Sequence, residues 1–157
     1  MENLTVHVVT VEPMRIASAY GFGHNPEEQA WQRLVAWAGP KGLLENRNAH
    51  PVFGFNNPNP TEQNSKYGYE FWIKVDPGTE PDGEIRIAEF NGGTYAVARC
   101  EAGSDPGATI PATWKSLADW CKENNRRFAH HQPMEKIMSD PGDPAHLELE
   151  LYCPIVE

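Results

Sequence analysis

The segment YEFWIKV, Tyr69 to Val75, recurs near the end of the chain as LELYCPI, Leu149 to Ile155. In both segments a glutamate stands two positions before a large aromatic residue. Both are rich in aromatic and aliphatic residues, which is typical of strands. A carboxylate in the middle of such a strand is unusual, because burying it costs free energy. The recurrence indicates two copies of one unit, each closing with such a strand.

A helical pattern recurs at nearly the same spacing, which supports the duplication. PEEQAWQRLVAWA, Pro26 to Ala38, and PATWKSLADWC, Pro111 to Cys121, both contain Trp-x-x-Leu-x-x-Trp. Such spacing is typical of the buried face of an amphipathic helix, so two unrelated helices are the alternative. Asn25 as N-cap and Pro26 at the first helical position mark the start of the first helix. Pro111 is expected to open the second.

The remaining segments complete the same order in each half of the chain. Each half opens with a strand-like run, VHVVTVEPMRIASAYGF in the first and EIRIAEFNGGTYAVARCE in the second. After the helix, shorter strands are expected at HPVFGF and within RFAHHQPMEKI. The turn-rich segment DPGTEPDGE joins halves of about 1–76 and 83–157. We therefore predict a single α+β domain over 1–157, built as a duplicated β-α-β-β unit with pseudo-two-fold symmetry. Its antiparallel sheet would carry helices on one face and enclose a central ligand cleft.

Alternation along a strand decides which way the two glutamates point, since the apolar face of each strand must pack on a helix. Glu70 and Trp72 therefore share the face turned away from the helices, and Glu150 and Tyr152 do the same in the second copy. A solvated outer face is the alternative. However, a carboxylate between aromatic walls is stabilised by a positive charge, and aromatic faces attract cations. The pattern predicts a pocket for a lipophilic cation or another flat, largely apolar ligand.

The composition of the 157 residues limits which classes of partner the protein is expected to bind. A net charge of −9 argues against direct nucleic-acid binding and weakly favours cationic partners. No apolar run is long enough to span a membrane, and the first residues do not form a secretory signal. We therefore expect a cytoplasmic protein without membrane contact. Cys100, Cys121 and Cys153 show no metal or redox spacing and are expected to be free, buried thiols.

Four segments of the chain resemble the GyrI-like family, the effector-binding domain of AraC- and MerR-type transcription activators. They are EPMRIASAYGFG, FGFNNPNP, YGYEFWIKV and LELYCPI, and the resemblance covers nearly the whole chain. The family fold is a duplicated β-α-β-β unit, in agreement with the repeat. The resemblance implies a small-molecule sensor without a cofactor, which binds lipophilic and often cationic compounds in a central cleft. Stand-alone relatives include integron cassette proteins that bind cationic drugs.

The resemblance also suggests which residues contact the ligand. Glu150 takes the position of a last-strand glutamate that commonly contacts the ligand in the family. We expect it to be the main charge partner, with Glu70 as its counterpart. Aromatic residues line the clefts of the family, and this chain's candidates are Tyr152, Trp72, Phe55 and Tyr20. The last two could instead be core residues.

The expected partners follow from a difference between this chain and its relatives. Regulators of this class carry a helix-turn-helix domain ahead of the sensor, whereas here the first sensor strand begins almost at Met1. We therefore expect a protein that buffers a toxic compound or acts with a separate regulator protein, rather than one that binds DNA. An exposed edge strand near the N-terminus could also pair two chains into a homodimer.

Two other functions stay open. The same site could hydrolyse a small electrophilic compound, with Glu150 as general base. We prefer a binding protein to an enzyme, because the sequence has no nucleophile elbow and no phosphate loop. The polar loop FNNPNPTEQNSKYG, Phe55 to Gly68, could instead recognise a protein, although its Asn and Pro residues are typical of turns. His130 and His131 lack a third ligand nearby in sequence, so we predict no metal site.

Overall fold

The computed structural model of the chain describes residues 4–103, 105–140 and 143–157. These residues form two α-helices and eight β-strands, and every strand pairing between them that is described below is antiparallel. In chain order the elements are β1 (Val6–Val11), β2 (Met14–Gly23), α1 (Pro26–Ala38), β3 (Val52–Asn56), β4 (Tyr67–Lys74), β5 (Arg86–Phe90), β6 (Gly93–Glu101), α2 (Pro106–Glu123), β7 (Met134–Ile137) and β8 (Glu148–Pro154).

The elements group into two compact units. Unit 2 is the continuous segment Met14–Phe90, and unit 1 combines the chain up to Pro13 with Asn91–Glu157. The α+β class and the two helices predicted from the sequence are confirmed. The extents predicted for the repeat halves, about 1–76 and 83–157, stay a prediction.

Unit 2 is a four-stranded antiparallel sheet with α1 packed on one face. Its strand order is β3-β4-β2-β5. The ring of Trp31 in α1 meets the edge of Phe71 in β4 at a centroid distance of 5.2 Å, which fixes the face that the helix covers. Gly21 lets the helix start close to the sheet, because a Cβ there would lie 2.4 Å from the carbonyl oxygen of Pro26.

Unit 1 repeats this arrangement with different side chains. Its strand order, β7-β8-β6-β1, matches that of unit 2 strand for strand. Helix α2 covers the apolar face of β8 and β6, where the thiols of Cys121 and Cys153 are buried. The duplicated β-α-β-β order is therefore confirmed. All three cysteines are free and buried, as predicted.

The opening run of each half is two strands, where the sequence had suggested one. β1 ends at Val11 before Glu12 and Pro13, and β5 ends before Gly92. Proline offers no backbone N–H to a ladder, and Gly92 has a φ of 79°, which favours glycine. Each break reverses the chain, so β1 pairs with β6 and β5 pairs with β2. In sequence, the edge strand of each unit therefore comes directly before the first long strand of the other unit: β1 precedes β2, and β5 precedes β6.

The start of the second helix was predicted wrongly. Helix α2 begins at Pro106, and Pro111 lies inside it. Pro106 takes the first helical position, where the missing N–H costs nothing, whereas Pro111 removes one internal hydrogen bond that the packed helix tolerates. The first helix has the predicted limits, with Asn25 at the N-cap position. No helix in the described ranges is long and apolar enough to cross a membrane.

Candidate functional site

Glu70 lies in the middle of β4, on the sheet surface of unit 2 that is turned away from α1. We call this surface the Glu70 face. Although it lies on the face without the helix, Glu70 is only 5% exposed. Strand pairing sets Tyr20 of β2 and Phe55 of β3 directly opposite Glu70. Trp72 follows on the same face two residues later, so four of the predicted ligand-binding residues meet in one unit.

Three neutral groups donate hydrogen bonds to the carboxylate of Glu70. Ser18 Oγ and Trp72 Nε1 donate to Oε2 over 2.6 and 2.7 Å, and Asn57 Nδ2 donates to Oε1 over 3.2 Å. Arg86 supplies a positive charge from β5, with its Nη2 3.8 Å from Oε2. This distance is too long for a hydrogen bond. The three neutral donors therefore fix the orientation of the Glu70 carboxylate. The guanidinium of Arg86 lies near enough to balance its charge but forms no hydrogen bond with it.

Aromatic rings surround this carboxylate on its own face. The ring of Trp72 contacts Phe55 at 4.8 Å and Phe90 at 5.2 Å between centroids. The hydroxyl of Tyr20 donates to the carbonyl oxygen of Asn57 over 2.8 Å. Phe55 is buried, whereas Tyr20, Trp72 and Phe90 are half-buried and expose part of each ring. The Glu70 face thus combines an oriented carboxylate with partly exposed aromatic surface.

Glu150 occupies the equivalent position in β8 of unit 1, with different neighbours. Arg99 of β6 and Lys136 of β7 stand directly opposite it, where unit 2 has Tyr20 and Phe55. Arg99 nevertheless pairs with Glu148 at 2.9 Å and with Glu101 at 3.6 Å. Within the described residues Glu150 forms no ion pair shorter than 4.0 Å. It is a half-buried carboxylate that faces two basic residues in register.

Tyr152 lies two residues beyond Glu150 on the same face of β8. Its ring contacts Tyr95 at a centroid distance of 5.4 Å. Burial and, to a smaller extent, the charge of Glu150 raise the pKa of Tyr152 to about 12. The phenol therefore stays protonated at neutral pH and keeps an O–H donor close to a carboxylate. Glu150 and Tyr152 come together in unit 1, and the cleft predicted to join them to the Glu70 face stays a prediction.

Unit 1 has two further polar features, a histidine beside Tyr95 and a groove along α2. His131 packs on Tyr95 at 4.7 Å, with its Nε2 2.7 Å from the carbonyl oxygen of Thr94, and so it holds the chain before β7. A groove of about 1270 Å³ runs along α2, and neither Glu150 nor Tyr152 lines it. No cluster of three or more metal-ligating side chains occurs in the described residues.

Sequence reasoning missed the residues that hold Glu70. Ser18 and Asn57 lie within the segments EPMRIASAYGFG and FGFNNPNP, but nothing in those segments relates them to Glu70. Arg86 was also missed, because a charged residue on an edge strand is ordinary. The pairing register that unites these residues is a tertiary property, so the sequence carried no usable signal for it.

Comparison with known proteins identifies the family. A model described as the GyrI-like small molecule binding domain matches residues 4–156, which confirms the resemblance seen in the sequence. None of the curated proteins matches the chain significantly.

Solved proteins that share the fold include EcmrR, VCH_CASS2 and SAV2435. The C-terminal domain of EcmrR has a TM-score of 0.69 at 14% identity, over 98% of both chains. In a DNA complex of EcmrR the match has the same TM-score of 0.69 at 13% identity, covering 98% of this chain but 58% of that one. The Vibrio cholerae integron cassette protein VCH_CASS2 has a TM-score of 0.54 at 13% identity, over 99% and 100%.

The third protein, SAV2435, was solved bound to tetraphenylphosphonium. It has a TM-score of 0.60 at 10% identity, over 97% of this chain and 94% of that one. Identities this low establish the shared fold alone.

Proposed function

Because the chain belongs to the GyrI-like family of small-molecule-binding domains, we propose that it binds lipophilic aromatic cations. Glu150 is the main charge partner in this proposal, and Tyr152 is the aromatic residue beside it. Trp72, Phe55 and Tyr20 supply aromatic surface around Glu70. The proposed role is that of a sensing or sequestering module, which acts alone, as a homodimer or with a separate regulator protein.

The state of Glu150 is the observation that carries this proposal. A half-buried carboxylate has lost part of its hydration, and the described residues offer it no ion pair within 4.0 Å. Of the two basic residues opposite Glu150 in register, Arg99 is engaged by two other carboxylates and Lys136 forms no ion pair with Glu150 within 4.0 Å among the described residues. A bound cation would replace the missing hydration and interact with the face of an aromatic ring, at roughly 0.5–2 kcal/mol per ring.

The relatives support the same ligand class. SAV2435, which shares the fold, was solved bound to tetraphenylphosphonium, a cation with four aromatic rings. EcmrR was solved in complex with DNA and matches this chain through its C-terminal domain, and a small-molecule-binding domain within a DNA-binding protein is in agreement with a sensing role. This chain spans only 58% of EcmrR in the DNA complex, so DNA binding by EcmrR is not carried over.

Titration calorimetry with two probes of similar shape tests the proposal. Tetraphenylphosphonium is the cationic probe, and triphenylphosphine oxide is the neutral one. We expect Glu150→Gln to weaken binding of the cation by about 1–2 kcal/mol, or roughly five- to thirtyfold in affinity. Binding of the neutral probe should weaken by less than about twofold. Glu123→Gln, which removes the same charge from the exposed end of α2, is the matched control.

Equal losses for both probes would refute the electrostatic role of Glu150. Turnover is addressed by a separate incubation with an aromatic cation that carries an ester, followed by mass spectrometry of the recovered compound. Recovery of the intact ester is expected of a binding protein. Hydrolysis that depends on Glu150 would replace the proposal with a hydrolase that uses this residue as general base.

A further inference from the structure

Arg86 is an exposed cation beside a buried carboxylate. Its side chain is 72% exposed, whereas that of Glu70 is 6% exposed. It extends from β5, the edge strand of unit 2, and its Nη2 remains 3.8 Å from Oε2 of Glu70. In the part of the chain that the structure describes, it is the one cationic side chain within 4.0 Å of Glu70. The guanidinium is largely solvated and makes no hydrogen bond to the carboxylate, so water and side-chain freedom compete with its attraction to the buried Glu70.

The carboxylate itself does not depend on Arg86 for its position. Ser18 and Trp72 hold Oε2 with short hydrogen bonds, and Asn57 holds Oε1. A carboxylate offers about four acceptor positions, and these donors use three of them. Removal of the guanidinium would leave Glu70 held by these three donors, beside the ring of Trp72 that in turn contacts Phe90, with one acceptor position free.

We propose that Glu70 is a second cation-binding site and that Arg86 competes for it within the molecule. A cationic ligand reaches Glu70 by displacing the guanidinium of Arg86 into solvent, so Arg86 sets how strongly the Glu70 face prefers cations over anions. This inference rests on the proposed function, because it assigns a second carboxylate and a selectivity residue to the same ligand class. Glu150 differs, since Arg99 and Lys136 stand opposite it but no cationic side chain of the described residues forms an ion pair with it within 4.0 Å.

Two probes with the same shape and opposite charge test the inference. Tetraphenylphosphonium and tetraphenylborate both carry four phenyl groups on a central atom. We expect Arg86→Gln to raise the affinity for the cation roughly three- to tenfold and to lower the affinity for the anion to a similar extent. Lys122→Gln, at an exposed position in α2, removes the same charge and should change either affinity by less than about twofold.

A double-mutant cycle isolates the contact with Glu70. The gain in cation affinity from Arg86→Gln should disappear when Glu70→Gln is already present. A gain that persists there, or an equal gain in Lys122→Gln, would overturn the inference and indicate a general charge effect. The exposed variants at Arg86 and Lys122 keep the experiment decisive if the buried change at Glu70 prevents folding.

The outcomes separate this inference from the proposed function. Binding that Glu150→Gln weakens and Arg86→Gln leaves unchanged would overturn the role of Arg86 and leave the proposed function standing. No binding of tetraphenylphosphonium by the wild type or by Arg86→Gln would overturn both.

Discussion

Removal of the Ser18 hydroxyl should destabilise the fold by an amount that reports the Glu70 network. Ser18 is 2% exposed, and its Oγ lies 2.6 Å from Oε2 of Glu70. A hydrogen bond to a charged group contributes about 1.5–3 kcal/mol, and its loss leaves a buried carboxylate with fewer donors. We expect Ser18→Ala to cost about 2 kcal/mol. For a chain of this size that lowers Tm by roughly 4–8 °C.

Thermal and urea denaturation of matched serine variants check this magnitude. Ser116→Ala is the control, because Ser116 lies in α2 and alanine is the best helix former, so that change should be neutral or slightly stabilising. If Ser18→Ala loses no more stability than Ser116→Ala, the hydroxyl does not hold Glu70 in solution. The reasoning that treats Glu70 as an oriented and charged carboxylate would then fail.

Two further results are expected. Gly21→Ala should destabilise the protein by more than about 2 kcal/mol in urea denaturation, because the new Cβ would lie 2.4 Å from the carbonyl oxygen of Pro26. The control is Gly78→Ala, which should be neutral because no atom lies within 4 Å of its Cβ. Similar stability of the two variants would contradict the close approach of α1 to β2. The raised pKa of Tyr152, about 12 against 10.0, means that the unfolded chain loses this proton first, so stability is complete below pH 10 and falls as the pH rises towards 12. Tyr152→Phe should make this alkaline loss smaller but not abolish it, since burial also raises the pKa of Tyr67 and Tyr95, and an unchanged pH profile would contradict the assignment.

The order and faces of the strands could be predicted because they depend on local periodicity. The match of YEFWIKV with LELYCPI indicated two copies of one unit, and alternation correctly set Glu70 and Trp72 on one face. The division of each opening run into two strands was missed. The reversals are marked in sequence only by the short interruptions Glu12-Pro13 in the first half and Asn91-Gly92-Gly93 in the second.

The chemistry around the two carboxylates could be predicted less well. Repeat matching paired Glu70 with Glu150 correctly, but it suggested similar surroundings for both. The neighbours of each glutamate lie on the adjacent strands, so the pairing register decides which residues they are. Tyr20 and Phe55 stand opposite Glu70, whereas Arg99 and Lys136 stand opposite Glu150. Ser18 reaches Glu70 across 52 positions of sequence, a relation that depends on the folded sheet.

The exchange of edge strands changes how the chain can be divided. Because β1 pairs with β6 and β5 pairs with β2, the chain passes between the units only after Pro13 and after Phe90. In terms of connectivity, unit 2 is an insert within unit 1, and a cut between the two sequence repeats would strip each sheet of its outer strand. Ser18, Asn57, Glu70, Trp72 and Arg86 all travel within that one insert, so a recombination event at its two borders would transfer the carboxylate together with its internal competitor.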